Sequence, residues 1–130
     1  MSSNREAIST TASPAAIGPY SQAIRTDQLV FTSGQIPLDP ATGVLVSEDF
    51  HRQAEQVMDN LEAVLIAAGS SIDRVVKILC FLTDLGNFPI VNEVFERRLN
   101  KPYPARSCVE VSALPKGASV EVEAIALTGQ

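Results

Sequence analysis

Tryptophan is absent from this chain, histidine occurs once, and cysteine and methionine occur twice each among 130 residues. A metal centre built from His51, Cys80 and Cys108 would draw on three unrelated spacings, so no zinc-type ligand set is present, and EDTA sensitivity is not expected. Two cysteines, each inside a strand-like apolar run, suit reduced, buried thiols better than a disulfide framework. The only histidine is expected to face solvent near the start of a helix, and no second one exists to form a His–His pair for RNA cleavage. Basic residues are sparse too: the net charge is −5 and the densest cationic cluster is Arg97, Arg98 and Lys101, which makes nucleic acid a poor partner. The longest apolar stretch, residues 63–68, is far too short to cross a bilayer, and residues 1–13 hold no apolar core of signal-peptide length. A cytoplasmic protein without membrane association is the expectation.

What remains is an ordinary globular balance, 45% hydrophobic and 19% charged, in a length that fits one domain. Residues 1–13, polar and rich in small side chains, read as a flexible N-terminus, and 14–130 as a single domain. Pro14, Gly18 and Pro19 force a turn-rich path into a strand over 20–25, and a second strand follows over 29–34. From 50 to 68 apolar residues recur at helical spacing, with Ser47 placed to cap the start, Glu48 and Asp49 beside it, and Gly69 at the left-handed stop. Residues 75–82 are apolar at almost every position except Lys77, so both faces of that strand are expected to be covered. Asn87 is placed to cap a second helix that ends before Pro102.

Strands over 106–114 and 119–127 close the chain, joined by Pro115-Lys116-Gly117-Ala118 as a tight hairpin. The order β-β-(β)-α-β-α-β-β is α+β, with two helices covering one face of a mainly antiparallel, six-stranded sheet. Nothing in the chain is left to cover the other face, which points to self-association.

The segment richest in chemistry is Tyr103-Pro104-Ala105-Arg106-Ser107-Cys108-Val109-Glu110-Val111. Pro104 suits the entry of a strand, and alternation from Arg106 onward sets Arg106, Cys108 and Glu110 on one face. A guanidinium anchored on regular structure can hold a carboxylate through two parallel hydrogen bonds. In the hairpin register Ser112 faces Glu121, which leaves Arg106 on the order of 20 Å from Glu121, too far for both side chains of one chain to touch the same small molecule. Cys108 as a nucleophile lacks a neighbouring histidine and reads instead as a small packing residue with a useful backbone N–H.

Ala16-Ile17-Gly18-Pro19-Tyr20-Ser21-Gln22-Ala23, Thr32-Ser33-Gly34-Gln35-Ile36-Pro37, Asn60-Leu61 with Ala67-Ala68-Gly69, Val91-Asn92, Pro104-Ala105-Arg106-Ser107 and Val120-Glu121-Val122-Glu123-Ala124-Ile125-Ala126 occur in this order. Together, from residue 14 to 127, they resemble the RidA/YjgF/L-PSP family of reactive-intermediate deaminases. The resemblance implies a chorismate-mutase-like fold, a homotrimer with clefts between subunits, and cofactor-independent hydrolysis of 2-imino acids, the 2-iminobutanoate and 2-iminopropanoate that PLP enzymes release, to 2-oxo acids and ammonia. It also implies that Arg106 holds the substrate carboxylate, that Glu121 is linked to the attacking water, and that Tyr20, Ser33, Gly34, Asn92 and Cys108 fill the remaining substrate-binding positions. The competing readings are a small-carboxylate sensing or regulatory module using the same clefts, a ribonuclease or translation inhibitor, and a holdase chaperone.

Overall fold

The computed structural model describes residues 4–129 as a six-stranded sheet with two helices packed on one face. The strands are β1 (Glu6–Ile8), β2 (Ala23–Arg25), β3 (Leu29–Thr32), β4 (Val75–Leu82), β5 (Ala105–Glu110) and β6 (Val120–Leu127), and the helices α1 (Phe50–Ala67) and α2 (Phe88–Arg98). The spatial order is β1-β2-β3-β6-β4-β5.

This sheet is mixed. β1, β2, β3, β6 and β4 pair antiparallel in succession, but β5 runs parallel to β4 on the outer edge. The expected β5–β6 hairpin is therefore wrong: β4 lies between the two strands. Residues 111–119 cross over the end of β4, where Val111 N donates to Leu82 O and Thr83 N donates to Ser119 O. The long apolar β4 takes the central place that its composition demands, and a parallel neighbour needs the intervening α2 as its crossover.

Other boundaries shift for local reasons. The N-terminal segment read as loose carries β1 from Glu6, paired with β2 in register Ala7↔Ile24, while residues 1–3 lie outside the described ones. The strand expected over 20–25 begins only at Ala23. Asp49, not Ser47, caps α1, its carboxylate accepting from Arg52 N at 3.0 Å, while Ser47 Oγ accepts from Asp49 N one step earlier. Gly69 follows α1 with φ of 81°, the left-handed conformation expected of it.

The core lies between the helices and one sheet face. Val57, Met58, Leu61, Val64 and Leu65 of α1 meet Ile78, Cys80 and Leu82 of β4 and Val120, Val122, Ala124 and Ala126 of β6. Outside this apolar layer, Arg98 ties α2 to α1 through Glu55 at 3.0 Å and Asp59 at 2.8 Å, and Arg97 also pairs with Glu55. The opposite sheet face has no covering layer among the described residues. Leu79, Phe81 and Ile125 are half-buried there, and Phe31 and Val109 remain 41% and 45% exposed. The covering expected on both faces of β4 is thus present on one. Among the described residues no helix is long and apolar enough to cross a membrane.

Candidate active site

Register decides where each candidate side chain goes. Arg106 pairs with Ile78, which pairs with Ala124, and both partners are buried against the helices, so Arg106 projects on the helix face of the edge strand. There its Nη1 donates to Asn92 Oδ1 at 2.7 Å, and its guanidinium carbon lies 4.9 Å from the ring centre of Phe88 and 5.8 Å from that of Phe95. Two aromatic faces and one amide hold the cation where it opens into a cavity of about 460 Å³, lined also by Tyr103, Pro104, Glu96 and Leu99. Asn92 accepts a single guanidinium N–H, so the remaining donors stay available to an anion.

Glu121 belongs to the other face. It pairs with Phe81, one alternation out of phase with the buried Val120 and Val122. It lines a second cavity of about 820 Å³ together with Tyr20, Ser33, Gly34, Lys116 and Glu123. Burial, and after it the charge of Glu123, raises the Glu121 carboxyl above the ordinary 4.5. Gly34 makes this arrangement possible: a Cβ on residue 34 would fall 2.9 Å from Glu121 Cγ and closer still to its carboxylate. The flanking Gln35↔Val122 bridge, with hydrogen bonds of 2.8 and 3.0 Å, brings the two backbones to this approach.

Ser33, which lines the cavity, donates from Oγ to Ser21 O at 2.6 Å, and Tyr20 OH accepts from Ile17 N at 3.4 Å. Cys108 lines neither cavity; it is half-buried, packed against the core, and register partner of the buried Cys80. His51 is exposed as expected, 3.5 Å from Glu93 across the two helices.

The structure thus sorts the candidates into two groups. Tyr20, Ser33, Gly34 and Glu121 share one cavity, Asn92 and Arg106 share the other, and the two cavities have no lining residue in common. One is a cationic pocket with an aromatic wall, suited to a small carboxylate. Its counterpart is a wide cleft around a poorly solvated carboxylate, suited to holding water and taking a proton.

Sequence reasoning missed the residues that set these walls. Phe88 and Phe95 lie at apolar positions of α2, and their spacing gives no sign that their rings flank a guanidinium. Asn60, fully buried, donates from Nδ2 to Ile36 O and Leu38 O at 3.0 Å each, and Gln53 donates to Ser47 O and accepts from Ser119 N. These two α1 amides brace the loops around the wide cleft. Their signal was available: positions 53 and 60 are polar places inside the helix's inward stripe.

An α+β domain with a mixed sheet, an edge-strand arginine and a carboxylate on the far sheet face is the class that this geometry defines. Residues 10–128 match the family model described as "Endoribonuclease L-PSP". The chain belongs to this family, also known as RidA/YjgF/L-PSP. It is 52% identical to a RutC family protein of Sinorhizobium fredii, over 92% of this chain and 95% of the relative. It is 46% identical to the 2-iminobutanoate/2-iminopropanoate deaminase of Mus musculus, over 96% and 93%. The crystal structure of RidA from the Antarctic bacterium Psychrobacter superposes with a TM-score of 0.91 at 49% identity, covering 94% of this chain and 98% of that one.

Proposed function

We propose that this protein hydrolyses small 2-imino acids, 2-iminobutanoate and 2-iminopropanoate, to 2-oxo acids and ammonia, in clefts formed between the subunits of a homotrimer. The observation that carries the reading is the division of the candidate residues between two opposite sheet faces. Each group is half of a site. Arg106 of one subunit binds the substrate carboxylate, and Glu121 of the next holds the water. The uncovered sheet face, with Phe31 and Val109 exposed on it, supplies the apolar surface for assembly. The deaminase name of the mouse relative supports the substrate class.

The reaction asks little of the protein. Water adds to the electrophilic imine carbon while Glu121 accepts one of its protons and passes it to the imine nitrogen, which receives the C=N electron pair, so the carboxylate is regenerated. The resulting carbinolamine collapses, its hydroxyl proton passing to the departing nitrogen, so that ammonia leaves and the 2-oxo acid remains. Fixing the carboxylate in a bidentate fork and orienting one water supply proximity and charge complementarity, without a cofactor. Cys108 contributes packing and a backbone N–H beside Arg106, not a nucleophile. The test adds purified protein to a threonine dehydratase reaction and follows imine decay and ammonia release. Decay faster than the spontaneous rate, at a rate proportional to added protein, is expected, and an unchanged rate would refute the assignment.

A further inference from the structure

Cys80 and Cys108 are register partners on the adjacent parallel strands β4 and β5, and both side chains project toward the helices. Neighbouring strands run about 4.8 Å apart, inside the roughly 4.4–6.8 Å span of Cα separations that a disulfide bridges. The two thiols differ sharply in surroundings. Cys80 is completely buried on the central strand, while Cys108 is only partly buried on the strand that forms the edge of the sheet. Burial first, and then the neighbouring Cys108, pushes the Cys80 thiol far up, which keeps it inert toward a reagent in solution. The Arg106 guanidinium, one alternation along β5 on the same face, opposes part of this rise at Cys80.

We propose that Cys80 and Cys108 form an oxidisable dithiol: a hydroperoxide converts them to an intrachain disulfide that joins β4 to β5. The Cys108 thiolate attacks the peroxide, breaking the O–O bond; its sulfur becomes a sulfenic acid and hydroxide leaves to become water. The Cys80 sulfur then attacks the sulfenyl sulfur, the S–S bond forms, and the departing hydroxide carries off the Cys80 proton as a second water. Two thiols and one hydrogen peroxide give one disulfide and two waters. A dithiol reductant returns the bond to two thiols by exchange. Its position makes peroxide exposure a chemical input to the strand that carries Arg106.

The experiment treats reduced full-length protein with a slight excess of hydrogen peroxide, then unfolds it in N-ethylmaleimide and measures the intact mass. The expected product carries no maleimide, has lost two hydrogen atoms, yields a Cys80–Cys108 crosslinked peptide, and regains both thiols in dithiothreitol. Cys80→Ala, whose fold is checked by its melting curve, should instead add oxygen at Cys108. In Cys108→Ala the Cys80 thiol should survive and be alkylated only after unfolding. Wild-type protein that gains oxygen at Cys108 while Cys80 remains alkylatable, that forms only disulfides between chains, or that keeps both thiols would overturn the proposal. None of these readings depends on imine hydrolysis, so they stand apart from the functional assignment.

Discussion

Arg106 and Glu121 point to opposite faces of one sheet, with β4 between their strands. No rotamer change brings them to the same small molecule, because the sheet itself separates them. The hairpin register expected from the sequence is absent from the structure; the separation of the two residues rests instead on the parity of the side chains across β5, β4 and β6, and it supports the proposed two-chain site.

Arg106→Lys should lower imine hydrolysis by about two orders of magnitude while the melting temperature stays near wild type. An ammonium cannot reproduce the guanidinium fork, nor its stacking between Phe88 and Phe95. Near-native turnover in this variant would remove Arg106 from the carboxylate site.

Gly34→Ala tests the close approach to Glu121. The added methyl must displace the Glu121 carboxylate, the far end of a flexible side chain that can swing into the adjoining cleft, so the melting temperature should change little. Activity should fall at least tenfold, because the carboxylate no longer sits where it holds the water. Wild-type turnover in Gly34→Ala would show that the carboxylate does not depend on the space beside residue 34.

The raised Glu121 carboxyl makes two pH statements. Acting as acceptor it must be ionised, so the acid limb of the rate profile should lie above the ordinary 4.5. The fold binds this proton more tightly than the unfolded chain does, so stability declines as pH rises through the window above 4.5. Glu121→Gln should therefore melt higher than wild type at neutral pH, with the gap closing in acid. A neutral-pH melt below wild type would contradict that sign.

Glu55 carries the opposite sign. Burial pushes its carboxyl up, but Arg97 and Arg98 outweigh this and hold it below 4.5. Its contribution is present above the unfolded value and is lost as pH falls through the lowered one. Glu55→Gln should reduce the neutral-pH melting temperature, and the two melting curves should converge in strong acid. A gap independent of pH would assign the effect to packing instead.

The parts legible in the sequence are those in which local pattern and burial agree. The stripe of α1, Gly69 behind it and the continuous apolarity of β4 each point to one arrangement. Alternation correctly set the face of Arg106 and Cys108, but it carries no information on which strand lies alongside, so the parallel pairing of β5 with β4 was invisible. β1 is only three residues long and too short to show a period. Glu121 and Gly34 are far apart in the chain, and only the Gln35↔Val122 bridge reveals that one makes room for the other.

The most direct measurement of the two-chain site is subunit complementation. Arg106→Ala and Glu121→Ala proteins, each inactive alone, are unfolded together, refolded as mixed assemblies verified by mass, and assayed for imine hydrolysis. Because each mixed assembly contains a cleft drawing Arg106 from one chain and Glu121 from the other, activity should return to a substantial fraction of wild type. Verified mixed assemblies that remain as inactive as the two parents would contradict a site shared between chains.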